Sequence, residues 1–117
     1  MILPRYDVVD EAIIDAEPAA VFQALNDEVT GVSNWWMPHW QGKIRGDEKK
    51  IRVGSFVDIT IHRFGKQRVA GRCLEMIENR YAKFEYFEGS FIGIGEWTFE
   101  PVDRKTKVRY RWNVAID

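Results

Sequence analysis

The sequence predicts an α+β fold in which one strand and two short helices lead into a curved antiparallel sheet of about six to seven strands. Apolar residues follow helical spacing only between residues 18 and 36, whereas from residue 41 onward they recur at every second position. A period of two indicates strands with one face against an apolar interior and the other in water. The turns between these segments are short, which favours a meander of hairpins.

The predicted helices lie between the first strand and the meander. Residues 6–14 form the first strand, although their alternation is imperfect. Pro18 suits the first turn of a helix, where a missing N–H has no partner to lose. One face of this helix is apolar and carries Val21, Phe22 and Leu25. The polar run 26–28 interrupts the pattern, so we expect the helix to end there. Thr30 is predicted to cap a second short helix that ends near Pro38.

The meander supplies a long apolar face. We expect its strands at residues 41–46, 54–64, 68–77, 82–87, 95–100 and 107–114. The predicted inward-facing side chains are Val57, Ile59, Ile61, Val69, Phe84, Tyr86, Trp97, Phe99, Val108, Tyr110, Trp112 and Val114. Their only polar atoms are tyrosine hydroxyls and tryptophan N–H groups. Such a face is either an ordinary core or the lining of a pocket that binds by apolar burial.

Length, charge and cysteine usage limit the function classes. A chain of 117 residues with a net charge of −1 predicts one domain, residues 1–117, without the basic face that nucleic acid requires. No apolar run approaches the roughly 20 residues that span a bilayer. Cys73 is the only cysteine, so we expect no internal disulfide and a buried, inert thiol in a cytoplasmic protein.

Candidate catalytic residues are few. His39 lies beside Trp35 and Trp36 and is a candidate general base at the mouth of an aromatic pocket, with Tyr86 as a second proton-transfer candidate. His62 is predicted to face solvent. Neither histidine has further ligands at metal-binding spacing, so we expect no metal and no cofactor. A further set of charged residues falls on outward positions and predicts cross-strand ion pairs: Arg72, Glu85, Glu96, Arg109 and Arg111.

Five segments carry a resemblance to a known superfamily. They are residues 16–22 (AEPAAVF), 34–36 (NWW), 53–56 (VGSF), 96–101 (EWTFEP) and 106–114 (TKVRYRWNV). With the order of the elements, they resemble the helix-grip fold of the START-related (SRPBCC) superfamily. That superfamily includes polyketide cyclase/dehydrase-like proteins, pollen allergens, lipid-transfer domains and Hsp90-activator-like domains. The last segment is most similar to the cyclase/dehydrase-type members.

The resemblance implies a cavity between the curved sheet and its helices. It also implies a long C-terminal helix after the last strand, but the sequence ends at Asp117, near the end of that strand. We therefore expect this chain to lack the helix. Two explanations stay open, namely a truncated sequence and a cover supplied by a partner.

Three function classes follow. The first is binding of a hydrophobic small molecule or lipid, with Trp35, Trp36 and Trp40 at the rim. The predicted lining residues are Ile59, Ile61, Phe84, Tyr86, Trp97, Phe99, Tyr110 and Trp112. The second is a polyketide cyclase/dehydrase-type enzyme that uses His39 and Tyr86. The third is a co-chaperone-like or self-associating module, in the simplest case a homodimer that covers its own groove.

Overall fold

The computed structural model describes residues 5–31, 40–62 and 66–116, with Trp40 described by its backbone alone. One helix and seven strands follow one another as β1 (Arg5–Ile14), α1 (Pro18–Thr30), β2 (Trp40–Ile44), β3 (Phe56–His62), β4 (Lys66–Ile77), β5 (Tyr81–Gly89), β6 (Phe91–Val102) and β7 (Lys105–Ile116). The predicted α+β class and strand number are confirmed. The strand bounds agree with the predicted ones to within a few residues.

All seven strands form one antiparallel sheet in the order β1-β7-β6-β5-β4-β3-β2. β1 and β2 therefore lie at opposite edges, although only α1 separates them among the described elements. Seven strands at their usual spacing put these edges about 29 Å apart along the sheet. A helix of 13 residues is only about 20 Å long. The chain from β1 to β2 must thus cross the sheet, which places α1 against its concave face.

Irregular pairing in the middle of the sheet contributes to its curvature. The register of β4 against β5 shifts between Ala70 and Gly71 and again between Cys73 and Glu75. Such bulges bend a strand and increase its twist. The concave face carries the core, in which α1 buries Val21, Leu25 and Val29. Phe22 packs edge to face on Phe99 of β6, with ring centroids 5.3 Å apart.

The helix does not end at the polar run 26–28, so that prediction was wrong. Asn26 instead fastens the loop between β2 and β3 to the helix. Its amide nitrogen donates to the carbonyl oxygen of Lys49 (2.9 Å), and its amide oxygen accepts from the N–H of Ile51 (2.8 Å). These tertiary hydrogen bonds compensate for burying a polar side chain inside a helix.

Thr30 is the last residue of α1 and not the cap of a second helix, which corrects the other helical prediction. Its hydroxyl donates to the carbonyl oxygen of Asn26 (2.8 Å), one turn earlier. Gly31 follows in the left-handed conformation (φ +84°) and ends the helix. Most of the predicted second helix, residues 32–36, lies outside the described residues.

Two contacts hold the ends of α1 against the sheet. Before the helix, the fully buried hydroxyl of Thr106 on β7 donates to the carbonyl oxygen of Ala16 (2.7 Å). At the other end, a Cβ atom on Gly42 of β2 would lie 2.4 Å from the carbonyl oxygen of Val29. The helix backbone therefore rests directly on the backbone of β2, and only glycine permits this approach.

The convex face carries the predicted charges. Arg72 pairs with Glu85 (3.3 Å), Arg109 with Glu11 (3.6 Å), and Arg111 makes two hydrogen bonds to Asp7 (2.7 and 3.0 Å). Glu96 accepts the hydroxyl hydrogen of Tyr81. These exposed pairs contribute little stability each. They do keep this face of the sheet hydrated, and their charges lie on the side of the sheet opposite to the concave face.

We predict that Gly42→Ala destabilises the fold strongly, because the added methyl group meets helix backbone that cannot move alone. The free energy of unfolding should fall by about 3 kcal/mol, as for other overpacked sites, measured by urea denaturation. Gly46→Ala is the matched control, since a Cβ atom there meets nothing within 4 Å and only its backbone (φ +101°) is strained. That strain costs about 1 kcal/mol. Equal losses in the two variants would contradict the close approach.

Candidate functional site

A cavity of about 490 Å³ lies between α1 and the concave face of the sheet. We call it the groove. Seven side chains on the predicted lining contribute to it: Ile59, Ile61, Phe84, Tyr86, Trp97, Tyr110 and Trp112. They come from β3, β5, β6 and β7, and strand alternation turns all of them to the same face. The structure adds Asp10, Val29, Val57 and Phe91 to this lining.

One wall of the groove is a continuous set of aromatic rings. Trp97 stacks on Tyr110 with ring centroids 4.2 Å apart and planes 26° from parallel. Phe91 meets Tyr86 (5.1 Å) and Trp112 (5.0 Å) edge to face. Each ring is thus held by a neighbour in a favourable geometry. A flat apolar molecule would find a wall that is already ordered.

Two tyrosine hydroxyls form the polar centre of that wall. The oxygens of Tyr86 and Tyr110 lie 2.9 Å apart and share a hydrogen bond. Burial raises the pKa of Tyr86 to about 12. Burial, together with the neighbouring Tyr86 and the negative charge of Asp10, raises the pKa of Tyr110 further. Both phenols are therefore protonated at neutral pH. Because one proton joins the two oxygens, the other remains available to a bound molecule.

Glycines make room for this pair. A Cβ atom on Gly95 of β6 would lie 2.7 Å from the Tyr86 oxygen and 2.9 Å from the Tyr110 oxygen. A Cβ atom on Gly71 of β4 would lie 3.2 Å from the Tyr86 ring. Tyr86 thus covers the glycines of the two neighbouring strands. An aromatic ring packed over a glycine is known to compensate for the side chain that the glycine lacks in a sheet.

Asp10 is the one charged residue of the described lining, and the sequence analysis missed it. It stands opposite Tyr110 in the β1–β7 register and lines the groove. The signal was present in the first strand, where residues 6, 8, 10, 12 and 14 read Tyr, Val, Asp, Ala and Ile. A charged residue in this otherwise apolar alternation marks a polar position on the inward face. The imperfect alternation of β1 concealed it.

Several predicted site residues lie elsewhere or outside the described residues. Phe99 is 1% exposed and packs under α1, where it lines a second, smaller apolar cavity of about 290 Å³. His62 is exposed at the end of β3, with its ring nitrogen 3.3 Å from the side-chain oxygen of Gln41. The residues outside the description are Trp35, Trp36, His39 and the side chain of Trp40.

Other sources of chemistry are weak in the part of the chain that the structure describes. Burial raises the pKa of the Cys73 thiol to about 11, so this cysteine is not a ready nucleophile. No group of three or more His, Cys, Asp or Glu side chains within residues 5–31, 40–62 and 66–116 could hold a metal ion. Over the same ranges, no helix is both long and apolar enough to cross a bilayer.

We predict that the stability of the protein falls between pH 10 and about 12 as its unfolded tyrosines ionise before Tyr86 does. Since the folded pKa of Tyr86 is raised, its contribution is complete below pH 10 and is lost as the pH rises. The share of Tyr86 in this loss should reach about 2 kcal/mol, and Tyr110, whose pKa is raised further, adds to it. Urea denaturation across this range measures the total. Tyr86→Phe should flatten the decline, whereas the same change at the exposed Tyr6 should not. An equal decline in both variants would contradict the assignment.

Comparisons with known proteins give structural likeness alone. No protein-family model matches the chain, and no relative is found among curated proteins. Protein TTHA0849 from Thermus thermophilus matches with a TM-score of 0.76 and 20% identity, over 96% of this chain and 75% of that one. The Zhui aromatase/cyclase from Streptomyces sp. R1128 matches with a TM-score of 0.76 and 14% identity, over 97% of this chain and 70% of that one.

A third solved structure, the Aha1 dimer from Colwellia psychrerythraea, matches with a TM-score of 0.65 and 23% identity, over 91% of this chain and 74% of that one. At these identities the likeness concerns the fold. The resemblance drawn from the five sequence segments is confirmed at that level. The chain has an α+β fold of the helix-grip type, which it shares with these solved structures.

Proposed function

We propose that this protein binds a hydrophobic small molecule or lipid in the groove. The observation that carries the proposal is a cavity of about 490 Å³ with an ordered aromatic wall and few polar groups. Pockets of this size and composition are typical of small-molecule sites. The structural likeness to an aromatase/cyclase supports an aromatic guest.

Apolar burial alone would give modest affinity. Removing roughly 300 Å² of ligand surface from water contributes about 7.5 kcal/mol at 25 cal/mol per Å². The loss of translational and rotational freedom opposes this with at least about 4 kcal/mol. The remaining free energy corresponds to weak binding, so the few polar groups of the groove matter. The free O–H of the Tyr86–Tyr110 pair and the carboxylate of Asp10 would orient the guest and strengthen its binding.

A cyclase/dehydratase activity is the second candidate, because the groove brings Asp10 close to a pair of phenols. The carboxylate could accept a proton while a phenol donates one to an oxygen of the substrate. The raised pKa of Tyr86 (about 12) is poorly matched to proton transfer at neutral pH. Binding is therefore the function that the groove supports better.

We predict that the neutral dye Nile red binds the groove and fluoresces there. Ile61→Trp should weaken this binding about tenfold, because a larger side chain at the rim fills space that the guest needs. Thr60→Trp is the matched control, since the neighbouring residue of β3 faces the convex side. Fluorescence titration of the three proteins gives the affinities. Equal binding by all three, or no binding by the wild type, would reject a guest in the groove.

Self-association is a further candidate, and it rests on β1. All ten residues of this edge strand are exposed, and they include Tyr6, Val8, Val9, Ile13 and Ile14. An edge strand with apolar side chains on both faces readily pairs with another copy. The likeness to a protein solved as a dimer supports this.

We predict that the wild-type protein forms a dimer at high concentration and that Val9→Lys is a monomer. In a dimer of the variant, the two new lysine charges would lie close to each other across the paired edges. Light scattering after size-exclusion chromatography measures the mass. Val53→Lys is the control, since Val53 is 63% exposed in the loop before β3. A wild-type monomer at about 1 mM, well above the usual range of weak association, would rule out the dimer.

A further inference from the structure

The groove contains one charged side chain in its described lining, the carboxylate of Asp10. In the register of β1 against β7 this residue faces Tyr110. Directly opposed residues of antiparallel strands have Cβ atoms about 5 Å apart. The carboxylate therefore stands beside the polar centre of the aromatic wall, and its charge contributes to the raised pKa of Tyr110.

The two other acidic residues of β1 form ion pairs with cations. Asp7 and Glu11 face the convex side, where Arg111, Lys107 and Arg109 pair with them. Asp10 has no such cation among the residues that the structure describes. β1 thus pairs its two convex-face acids with cations and leaves one carboxylate on the groove side.

The wall next to this carboxylate also favours positive charge. The faces of tryptophan and tyrosine rings carry negative potential and attract cations within about 6 Å. Trp97, Tyr110 and Trp112 line the groove with rings of this kind. The hydroxyl oxygens of Tyr86 and Tyr110 can accept hydrogen bonds, and an ammonium group has three to donate.

We propose that the guest of the groove is an apolar amine, whose ammonium group binds Asp10 while its hydrocarbon part lies on the aromatic wall. This inference rests on the proposed binding function and specifies its ligand class. The same arrangement disfavours apolar carboxylates such as fatty acids, because a second negative charge would face Asp10 without a cation in the described lining.

Three ligands that share the same hydrocarbon part and differ in their polar group test the proposal, namely 4-phenylbutylamine, 4-phenylbutanol and 4-phenylbutanoate. Isothermal titration calorimetry at neutral pH and low salt compares their affinities. We expect the amine to bind best, the alcohol next and the carboxylate worst. Because Asp10 is exposed at the edge of the groove and water screens its charge, each step should be about three- to tenfold.

Two variants of the same strand locate the charge. Asp10→Asn should lower the affinity for the amine about fivefold and leave that for the alcohol unchanged. Glu11→Gln is the matched control, because it removes a negative charge at the next residue but on the convex face, and it should change neither affinity. Circular dichroism of both variants shows that the fold is retained.

Each outcome of this experiment has a distinct meaning. Preference for the amine that is lost in Asp10→Asn but kept in Glu11→Gln supports the proposal. If the alcohol or the carboxylate binds as tightly as the amine, the amine specificity is overturned while binding in the groove stands. If none of the three ligands binds the wild-type protein, both the specificity and the proposed binding function are overturned.

Discussion

The passage of α1 across the concave face is the constraint on which the rest of the structure depends. β1 and β2 lie at opposite edges of the sheet, so the chain between them must cross it. The sheet curves around α1. The contact of Gly42 with the helix backbone and the hydrogen bonds of Asn26 determine how closely the helix approaches at one end. The space that remains beside the helix is the groove.

The groove exists because large and small residues alternate across neighbouring strands. Tyr86 lies over Gly71 and reaches Gly95, so its ring and hydroxyl occupy volume that side chains on β4 and β6 would otherwise fill. Trp97 and Tyr110 stack against each other and line the opening together. Aromatic side chains can therefore line a cavity without closing it. In a sheet with ordinary residues at these glycines, the same tyrosines would be displaced.

The distribution of charge gives the groove its chemical character. Cross-strand ion pairs join opposite charges on the convex face, where water screens them and they contribute little to stability. The concave face carries one described carboxylate beside two protonated phenols. Next to an apolar wall, a single charge influences which polar group can enter. Affinity for the guest would thus come from the aromatic wall and selectivity from Asp10.

The sequence by itself determined the strands and the apolar lining, because a period of two assigns every side chain to one face regardless of distant partners. Ile59, Tyr86 and Trp97 were predicted on this basis. It could not predict the continuation of α1 through Asn26, since that residue is stabilised by loop backbone 23 and 25 residues away. Nor could it place Phe99 under the helix or Asp10 beside Tyr110. Only tertiary structure decides these contacts, because they depend on strand register and on the path of the helix.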